Sequence, residues 1–182
     1  MRFRLRYQGK LKSNGSKQDK HAIRMCLSPQ IQDLSKREPL VSWSECFGPK
    51  EVAGWPYAPR NIDGITFIPA VYAGLCLIAR LDILFLRPED PGKVVTQGGD
   101  LDNRIKTLFD GLRVPKHDEL PKNIATSTDP VWCLLEDDAL VTEFSVRTDR
   151  LLAAENDDVL LIITVTVGAS QHVIKNTGIT SF

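Results

Sequence analysis

Apolar and polar residues alternate along several segments of the chain, and this alternation predicts strands. At the N-terminus, Phe3, Leu5 and Tyr7 alternate with arginines, which predicts a half-buried first strand with a basic outer face. The same kind of pattern predicts four further strands, at residues 64–72, 75–86, 140–148 and 158–167. The Ala73-Gly74 pair between the first two of these predicts a turn that joins them as a hairpin.

Apolar residues at helical spacing predict two helices. Within residues 21–36 they recur at spacings of four, four and three, and Pro29 is expected to kink this helix or to start a second short one. A helix is also predicted over residues 101–112, where one face carries Leu101, Ile105, Leu108, Phe109 and Leu112.

The remaining segments predict irregular structure around one core. Four prolines in residues 37–64 predict a loop that wraps the core, and charges and prolines over residues 113–130 predict an exposed insertion. The polar residues 171–182 predict a frayed C-terminal tail. A chain of 182 residues, 42% of them hydrophobic, suits one substantial core. We therefore predict a single domain over residues 1–170, of α/β (α+β) class, with a mixed β-sheet, helices packed on it, and insertions at 37–64 and 113–135.

The sequence sets aside membrane and secreted proteins. The longest apolar segment, Gly74–Leu86, is interrupted by Arg80 and Asp82 and is shorter than the roughly 18 residues of a membrane span. The N-terminus lacks the apolar stretch and cleavage site of a signal peptide. The four cysteines contain no C-x-x-C pair, so we expect reduced thiols in a cytoplasmic protein.

The charges are balanced overall but unevenly distributed. The formal net charge is zero, yet residues 1–37 contain ten basic and two acidic side chains. A basic segment beside an acidic site is typical of proteins that bind a phosphate backbone, and a basic face that only keeps the protein soluble is the alternative. The residues predicted to contact a nucleic-acid backbone are Arg2, Arg4, Arg6, Lys12, Lys17 and Lys20.

The helix predicted at residues 101–112 also carries a polar stripe. Asp102, Lys106 and Asp110 recur every fourth residue, so they lie on one side of the helix, away from its apolar face. Asp100 precedes the helix and follows two glycines, and its carboxylate could cap the free N–H groups or point outward beside Asp102. Two interpretations of these carboxylates therefore stand, as helix caps or as metal ligands.

A second acidic group stands just before a predicted strand. Glu136, Asp137 and Asp138 are consecutive, and the repulsion between their carboxylates requires either a turn or a bound cation. Carboxylates from two segments, with Lys106 one helical turn beyond Asp102, would supply oxygen ligands for Mg²⁺ or Mn²⁺ and a positive charge for a phosphate. The residue types thus indicate a metal site for phosphate chemistry, with the turn as the alternative.

The residues of both acidic groups share their spacing with a known family. The segments concerned are Asp100-Leu101-Asp102-Asn103, then Lys106, Asp110 and Leu112, and finally Asp137-Asp138-Ala139 before a strand. This pattern resembles the RusA family of Holliday-junction resolvases, which are small dimeric α/β endonucleases that require magnesium and cut branched DNA. The resemblance covers about residues 100–167, whereas the long connection before residue 136 and the segment 37–64 depart from the family pattern.

The resemblance implies a role for each of these residues. It implies that the carboxylates of Asp100, Asp102 and Asp138 bind Mg²⁺ or Mn²⁺. It also implies a lysine that is required for cleavage. The catalytic residues implied are Asp100, Asp102, Lys106 and Asp138, and the supporting residues are Asn103, which orients the site, Asp137, and Asp110, whose role is structural.

The function expected from this resemblance is a magnesium-dependent, structure-specific endodeoxyribonuclease. Such an enzyme acts on branched DNA in recombination and repair, and the family pattern implies a homodimer. One alternative is a non-catalytic domain that binds nucleic acid or protein on the same fold. Another is a nucleotide-sugar transferase that uses the Asp100-x-Asp102 pair as a metal-diphosphate clamp.

Overall fold

A computed structural model describes residues 1–88, 101–122, 124, 129–152 and 157–180. Within these residues, the helices are α1 (Lys17–Ser35), α2 (Ser44–Phe47) and α3 (Leu101–Leu112). The strands are β1 (Arg2–Gly9), β2 (Arg60–Ile62), β3 (Ile65–Val71), β4 (Leu77–Arg87), β5 (Val131–Leu135), β6 (Val141–Arg150) and β7 (Val159–Ala169). None of these helices is long and apolar enough to cross a membrane.

Four strands form the larger sheet, in the order β1-β7-β4-β6. β7 is antiparallel to both of its neighbours, and β6 runs parallel to β4 at one edge. Leu161 and Ile163 of β7 are fully buried, whereas Leu160 and Ile162, which alternate with them, are partly exposed. The larger sheet therefore has a covered face toward the core and an open face, as expected for a mostly antiparallel sheet.

β2, β3 and β5 form a second, smaller sheet, in which β3 and β5 run parallel. All five residues of β5, Val131–Leu135, are buried. The exposed insertion was predicted over residues 113–130, and the last five residues of the insertion given as 113–135 form this buried strand instead. The strand was missed because a strand buried on both faces is a continuous apolar run without alternation.

The hairpin predicted around Ala73-Gly74 is wrong, because β3 and β4 lie in different sheets. A 3₁₀ turn at Ala73–Leu75 follows β3, and Cys76 then adopts a left-handed conformation with a φ of 54°. The backbone N–H of Ala73 donates to the Glu136 carboxylate at 2.9 Å, and the Glu136 N–H donates to the Val71 carbonyl at 2.9 Å. These bonds tie the end of β3 to the end of β5, and the chain then crosses to the larger sheet.

α1 begins with a capping box and continues as one helix. The Ser16 hydroxyl accepts from the Asp19 N–H at 3.2 Å, and the Asp19 carboxylate accepts from the Ser16 N–H at 2.9 Å. Ile23 and Leu27 are buried on the inner face of the helix. Pro29 lies inside the helix, so it does not start a second one.

Gly111 lets α1 and α3 approach each other closely. A Cβ atom at this position would lie 2.7 Å from the Ile23 Cγ2 atom and 3.3 Å from the Lys20 carbonyl oxygen. Because side-chain carbons do not approach so closely, a larger residue would have to push the helices apart. The position of α3 is therefore set by its contact with α1.

The segment predicted as an irregular loop at residues 37–64 contributes to the core. A 3₁₀ turn at Leu40–Trp43 and α2 carry the buried side chains of Leu40, Cys46 and Phe47. The prolines therefore shorten the elements without removing them from the core.

The C-terminal segment is also anchored. Asn176 and Ile179 are fully buried, and the N-terminal amine of Met1 donates to the Ile179 carbonyl at 2.7 Å. The prediction of a frayed tail at residues 171–182 is therefore wrong for the described part of this segment, which ends at residue 180. The segment is mostly polar, but a few buried contacts hold it against the core.

The two sheets and α1 share one buried cluster, and the chain is a single mixed α+β domain, as predicted.

Candidate active site

α3 presents one end of its polar stripe to solvent. The helix has the predicted bounds, and Ile105, Leu108 and Leu112 are buried on its inner face. Asp102 and Lys106 are exposed and lie one helical turn apart. The apolar face therefore fixes the helix in the core while these two charged groups point away from it.

The three consecutive carboxylates at the end of β5 have three different surroundings. Glu136 forms an ion pair with the Arg60 guanidinium at 2.6 Å. Asp137 accepts a hydrogen bond from the Ala139 N–H at 2.9 Å and caps the 3₁₀ turn that follows. Asp138 begins that turn and is exposed. The ion pair thus accounts for Glu136 and the turn accounts for Asp137, whereas Asp138 is exposed at the candidate site.

The electrostatic surroundings keep Asp137 ionised. The hydrogen bond from the Ala139 N–H is the main reason that the pKa of Asp137 lies below its ordinary value. Partial burial opposes this shift, while a hydrogen bond with Asp138 and the positive charges of Arg113 and Lys116 lower the pKa further. A negative carboxylate therefore adjoins Asp138, and this arrangement favours the binding of a cation there.

Asp102, Lys106 and Asp138 line a single cavity of about 470 Å³. α3 supplies the first two residues, and the turn before β6 supplies the third. The other side chains that line the cavity are apolar: Leu101, Ile105, Phe109, Phe144 and Val146. The structure thus brings together charged groups from the two acidic segments that the sequence singled out.

Two aromatic rings form the wall of this cavity. Phe109 of α3 and Phe144 of β6 meet edge to face, with 5.3 Å between the ring centroids. Phe144 is nevertheless 54% exposed. The pattern of the sequence placed Phe109 in the core and gave no role to Phe144; a phenylalanine between Glu143 and Ser145 in a polar strand was the one signal available.

The oxygen ligands present suit a hard divalent cation. Asp100 lies outside the described residues, and among the described residues no three Asp, Glu, His or Cys side chains converge as a ligand set. Asp102 and Asp138 offer two carboxylates at one cavity, and Mg²⁺ is commonly bound by one or two carboxylates together with water and substrate phosphates. The donor set therefore fits Mg²⁺ or Mn²⁺ better than it fits Zn²⁺, which prefers nitrogen and sulfur ligands.

Asp110, at the other end of the polar stripe, belongs to a buried ion network. Its carboxylate contacts the Lys20 ammonium at 2.8 Å and the Arg113 guanidinium at 2.8 Å. Arg113 also binds the Glu119 carboxylate at 2.7 Å. Arg24 adds a hydrogen bond from its guanidinium to the Asp110 carbonyl at 2.7 Å. These contacts lie within the fold and join α1 to the end of α3.

The same network holds Glu119 in its charged form. Burial favours the neutral acid, but hydrogen bonds from the Arg113 guanidinium and the Lys116 N–H, with the positive charge of Arg113, lower the pKa of Glu119 to about 2.

Asn103, the other supporting residue on α3, makes a contact within the helix through its backbone. Its carbonyl accepts a hydrogen bond from the Thr107 hydroxyl at 3.0 Å. The supporting residues Asn103 and Asp110 thus contact the fold rather than the cavity.

The predicted phosphate-binding lysines lie beside α3. The Gly15 N–H donates to the Thr107 hydroxyl at 2.9 Å and packs the loop before α1 onto α3. Lys17 is exposed at the start of α1, while Lys12 forms an ion pair with Asp19 at 2.9 Å. Lys20 is partly buried and bound within the ion network, whereas Lys12 and Lys17 are exposed. Lys12 and Lys17 are therefore better placed than Lys20 to contact a phosphate.

The predicted phosphate-binding arginines lie elsewhere. Arg2, Arg4 and Arg6 are exposed on β1, which forms the edge of the larger sheet opposite to β6. Their register with Thr166, Thr164 and Ile162 places them on the open face, whereas α3 lies on the covered face. The structure therefore does not bring the arginines to the cavity.

Comparisons with protein-family models, with curated protein sequences and with solved structures gave no match to this chain.

Proposed function

We propose that this protein is a metal-dependent endonuclease that hydrolyses phosphodiester bonds in DNA. The observation that carries the proposal is the placement of Asp102, Lys106 and Asp138 around one cavity. Carboxylates that hold a divalent ion beside a cationic side chain are the usual components of phosphodiester hydrolysis. The resemblance of the acidic segments to the RusA family points to the same chemistry.

The proposed mechanism divides the work between the carboxylates and the lysine. Asp102 and Asp138 would hold Mg²⁺ or Mn²⁺, with Asp100 as the expected third ligand. The ion, when bound, lowers the pKa of water and stabilises charge on the phosphate oxygens. The Lys106 ammonium neutralises negative charge that develops on the scissile phosphate. The apolar walls of the cavity lower the polarity around these groups and so strengthen both electrostatic effects.

The proposed substrate is branched DNA, cut by a homodimer in recombination or repair. Support for a polyanionic substrate comes from the lysines of the loop and helix that pack onto α3. Exposed Lys17 and the partly neutralised Lys12 can contact phosphates of a nucleic-acid backbone. The preference for branched DNA and the dimer are carried by the family resemblance.

A second candidate function is a non-catalytic binding domain. It is favoured by the apolar lining of the cavity and by the exposure of Phe144, since exposed aromatic side chains are common where proteins meet a partner. This candidate predicts binding without cleavage, and the same experiment separates the two.

The experiment is a cleavage assay with titrated Mg²⁺ and Mn²⁺ on four-way, flapped and linear DNA. We expect the wild type to cut branched DNA only with metal, and Asp102→Asn and Asp138→Asn to lose at least 100-fold in rate while they retain DNA binding. Asp33→Asn is the matched control, because Asp33 is an exposed aspartate in an ion pair with Arg37, on α1. Cleavage retained by Asp102→Asn would overturn the mechanism, and DNA binding without cleavage by the wild type would favour the binding domain.

A further inference from the structure

The open face of the larger sheet carries a column of arginines at its β1 edge. Arg2, Arg4 and Arg6 are all exposed there. In register beside them on β7 stand Thr166, opposite Arg2, and Thr164, opposite Arg4. We call these three arginines and two threonines the arginine strip.

Among the described residues, no acidic side chain forms an ion pair with the arginine strip. Within the described residues, Arg2 and Arg4 form no ion pair, and the Arg6 guanidinium donates only to the neutral Gln8 side chain, at 2.6 Å. Three full charges along one edge strand attract a polyanion, which is the electrostatic footprint of backbone binding.

The acidic residues of the open face lie toward the other edge and have basic partners of their own. Asp82 of β4 contacts the Arg147 guanidinium at 3.4 Å, and Glu143 of β6 contacts the Arg80 guanidinium at 3.6 Å. The open face is therefore divided into a mixed region on β4 and β6 and a purely basic region on β1.

The spacing of the arginine strip matches a nucleic-acid backbone. Alternate residues of an antiparallel strand are about 6.8 Å apart, and one DNA strand presents a phosphate about every 3.4 Å along the helix axis. Because that strand also winds around the axis, its neighbouring phosphates lie farther apart than this rise, and the spacing of Arg2, Arg4 and Arg6 is of the same order as the distance between consecutive phosphates. The hydroxyls of Thr164 and Thr166, about 4.8 Å away in the next strand, can donate to the same phosphates.

The arginine strip and the cavity lie on opposite sides of the sheet. In the register of β4 with β6, Phe144 of the cavity stands opposite the buried Leu81, whereas Glu143 stands opposite the exposed Arg80. The cavity is thus on the covered face at the β6 edge, and the strip is on the open face about 14 Å across the sheet. DNA is stiff over about 150 base pairs, so one short duplex segment cannot turn sharply enough to occupy both surfaces.

We infer that the arginine strip binds the phosphate backbone of a second duplex segment, separate from the segment that reaches Asp102. The identity of the polyanion as DNA rests on the proposed function. Two duplex-binding surfaces on opposite faces would allow one chain to hold two arms of a branched substrate, or two duplexes, at once.

Protection of the sheet edge is the main competing explanation for the arginines, since charged residues discourage pairing between edge strands. The edge of β1 already has another cover at its centre. The Gln30 side chain of α1 accepts from the Arg6 N–H at 2.9 Å and donates to the Arg6 carbonyl at 2.8 Å. At Arg6, the backbone edge is thus paired by α1 without any contribution from the arginine side chains.

The experiment uses the triple variant Arg2→Gln, Arg4→Gln and Arg6→Gln, with Arg147→Gln as the matched control. Arg147 lies on the same open face but at the β6 edge, with Asp82 as its acidic partner. Circular dichroism and thermal melting confirm folding. Equilibrium binding of a 12-base-pair linear duplex is then measured with chelator present, so that no cleavage occurs, over a range of salt concentrations.

We expect the wild type to bind two duplexes per chain and the triple variant to bind one. The lost site should show a dependence of log K on log[salt] with a slope that reflects about three phosphates, roughly −2.7. One duplex bound by the wild type and none by the triple variant would support the strip while contradicting the proposed function of the cavity. Unchanged stoichiometry and salt dependence in the folded triple variant, or an equal loss in Arg147→Gln, would overturn the inference.

Discussion

The two ends of α3 carry acidic residues of the same stripe in opposite surroundings. Asp102, near the start, is exposed at the cavity, while Asp110, eight residues later, is buried between Lys20 and Arg113. The helix is one continuous element, so the difference comes from its neighbours. α1 crosses the end of α3 at Gly111, whereas the start of α3 faces the turn at Asp138.

This difference separates stability from chemistry along a single helix. Charges at the buried end have partners within the fold, and the loss of one of them leaves an uncompensated charge. Charges at the exposed end are reached by solvent and contribute little to folding. A stripe of charged residues at helical spacing therefore says which side of the helix they share, but it does not say which of them are functional.

The largest expected effect is on folding, from substitution at the buried end. Asp110→Asn removes the carboxylate that two cations share, and we expect it to lower the free energy of unfolding by about 3 to 5 kcal/mol. Asp102→Asn should change the same quantity by less than about 0.5 kcal/mol, because its side chain is exposed. Urea denaturation followed by circular dichroism measures both values.

The comparison between the two ends would fail if the two variants lost similar amounts of stability. It would be sharpened by Lys20→Met in the Asp110→Asn background, because removal of a partner cation should restore part of the loss. A double-mutant cycle of these substitutions reports the coupling between α1 and α3 directly.

The next effect is a dependence of stability on acidic pH. The pKa of Glu119 is lowered in the folded state to about 2 from an ordinary value of 4.5, so its stabilising contribution is complete above about pH 4.5 and is lost as the pH falls toward 2. The contribution is present in full at neutral pH, and solvent screening reduces its size because the Glu119 side chain is partly exposed. Glu119→Gln should be less stable than the wild type at pH 7 and should lose less stability between pH 5 and pH 2.

Other carboxylates also titrate in this interval, and the comparison with Glu119→Gln removes their contribution. Asp19, whose pKa is lowered to about 2 mainly by the Ser16 hydroxyl, is present in both proteins. Parallel stability curves for the wild type and Glu119→Gln over this range of pH would show that the ion network does not depend on Glu119.

The parts of the fold that follow a clear periodicity were predicted from the sequence. α3 has the bounds predicted from its apolar face, and β1 and β7 follow their alternation closely. β5 was missed because a strand buried on both faces shows no alternation. The crossing from β3 to β4 was missed because it involves a hydrogen bond from Ala73 to Glu136, a residue distant in sequence. Periodicity records burial, so it fails where burial does not alternate or where long-range bonds direct the chain.

The residues of the candidate site were predicted more completely than its shape. The sequence selected Asp102, Lys106 and Asp138, and these three share a cavity. Asp100 lies outside the described residues, so its place in the site stays a prediction. The aromatic wall was not predicted, because the contact between Phe109 and Phe144 joins a helix to a strand 35 residues later in the chain. Residue chemistry can be recognised locally, whereas the surroundings of a site depend on which elements the fold brings together.

The smallest expected effect tests whether close packing of α1 on α3 sets the end of the helix. Gly111→Ala places a methyl group 2.7 Å from the Ile23 Cγ2 atom, and we expect the free energy of unfolding to fall by about 1 to 3 kcal/mol. Gly48→Ala is the matched control, because the nearest atoms to a Cβ there are at 3.9 Å, and it should change stability little. Equal effects of the two substitutions would mean that α1 can shift freely along α3, and the contrast between a fixed buried end and an open functional end would then need another cause.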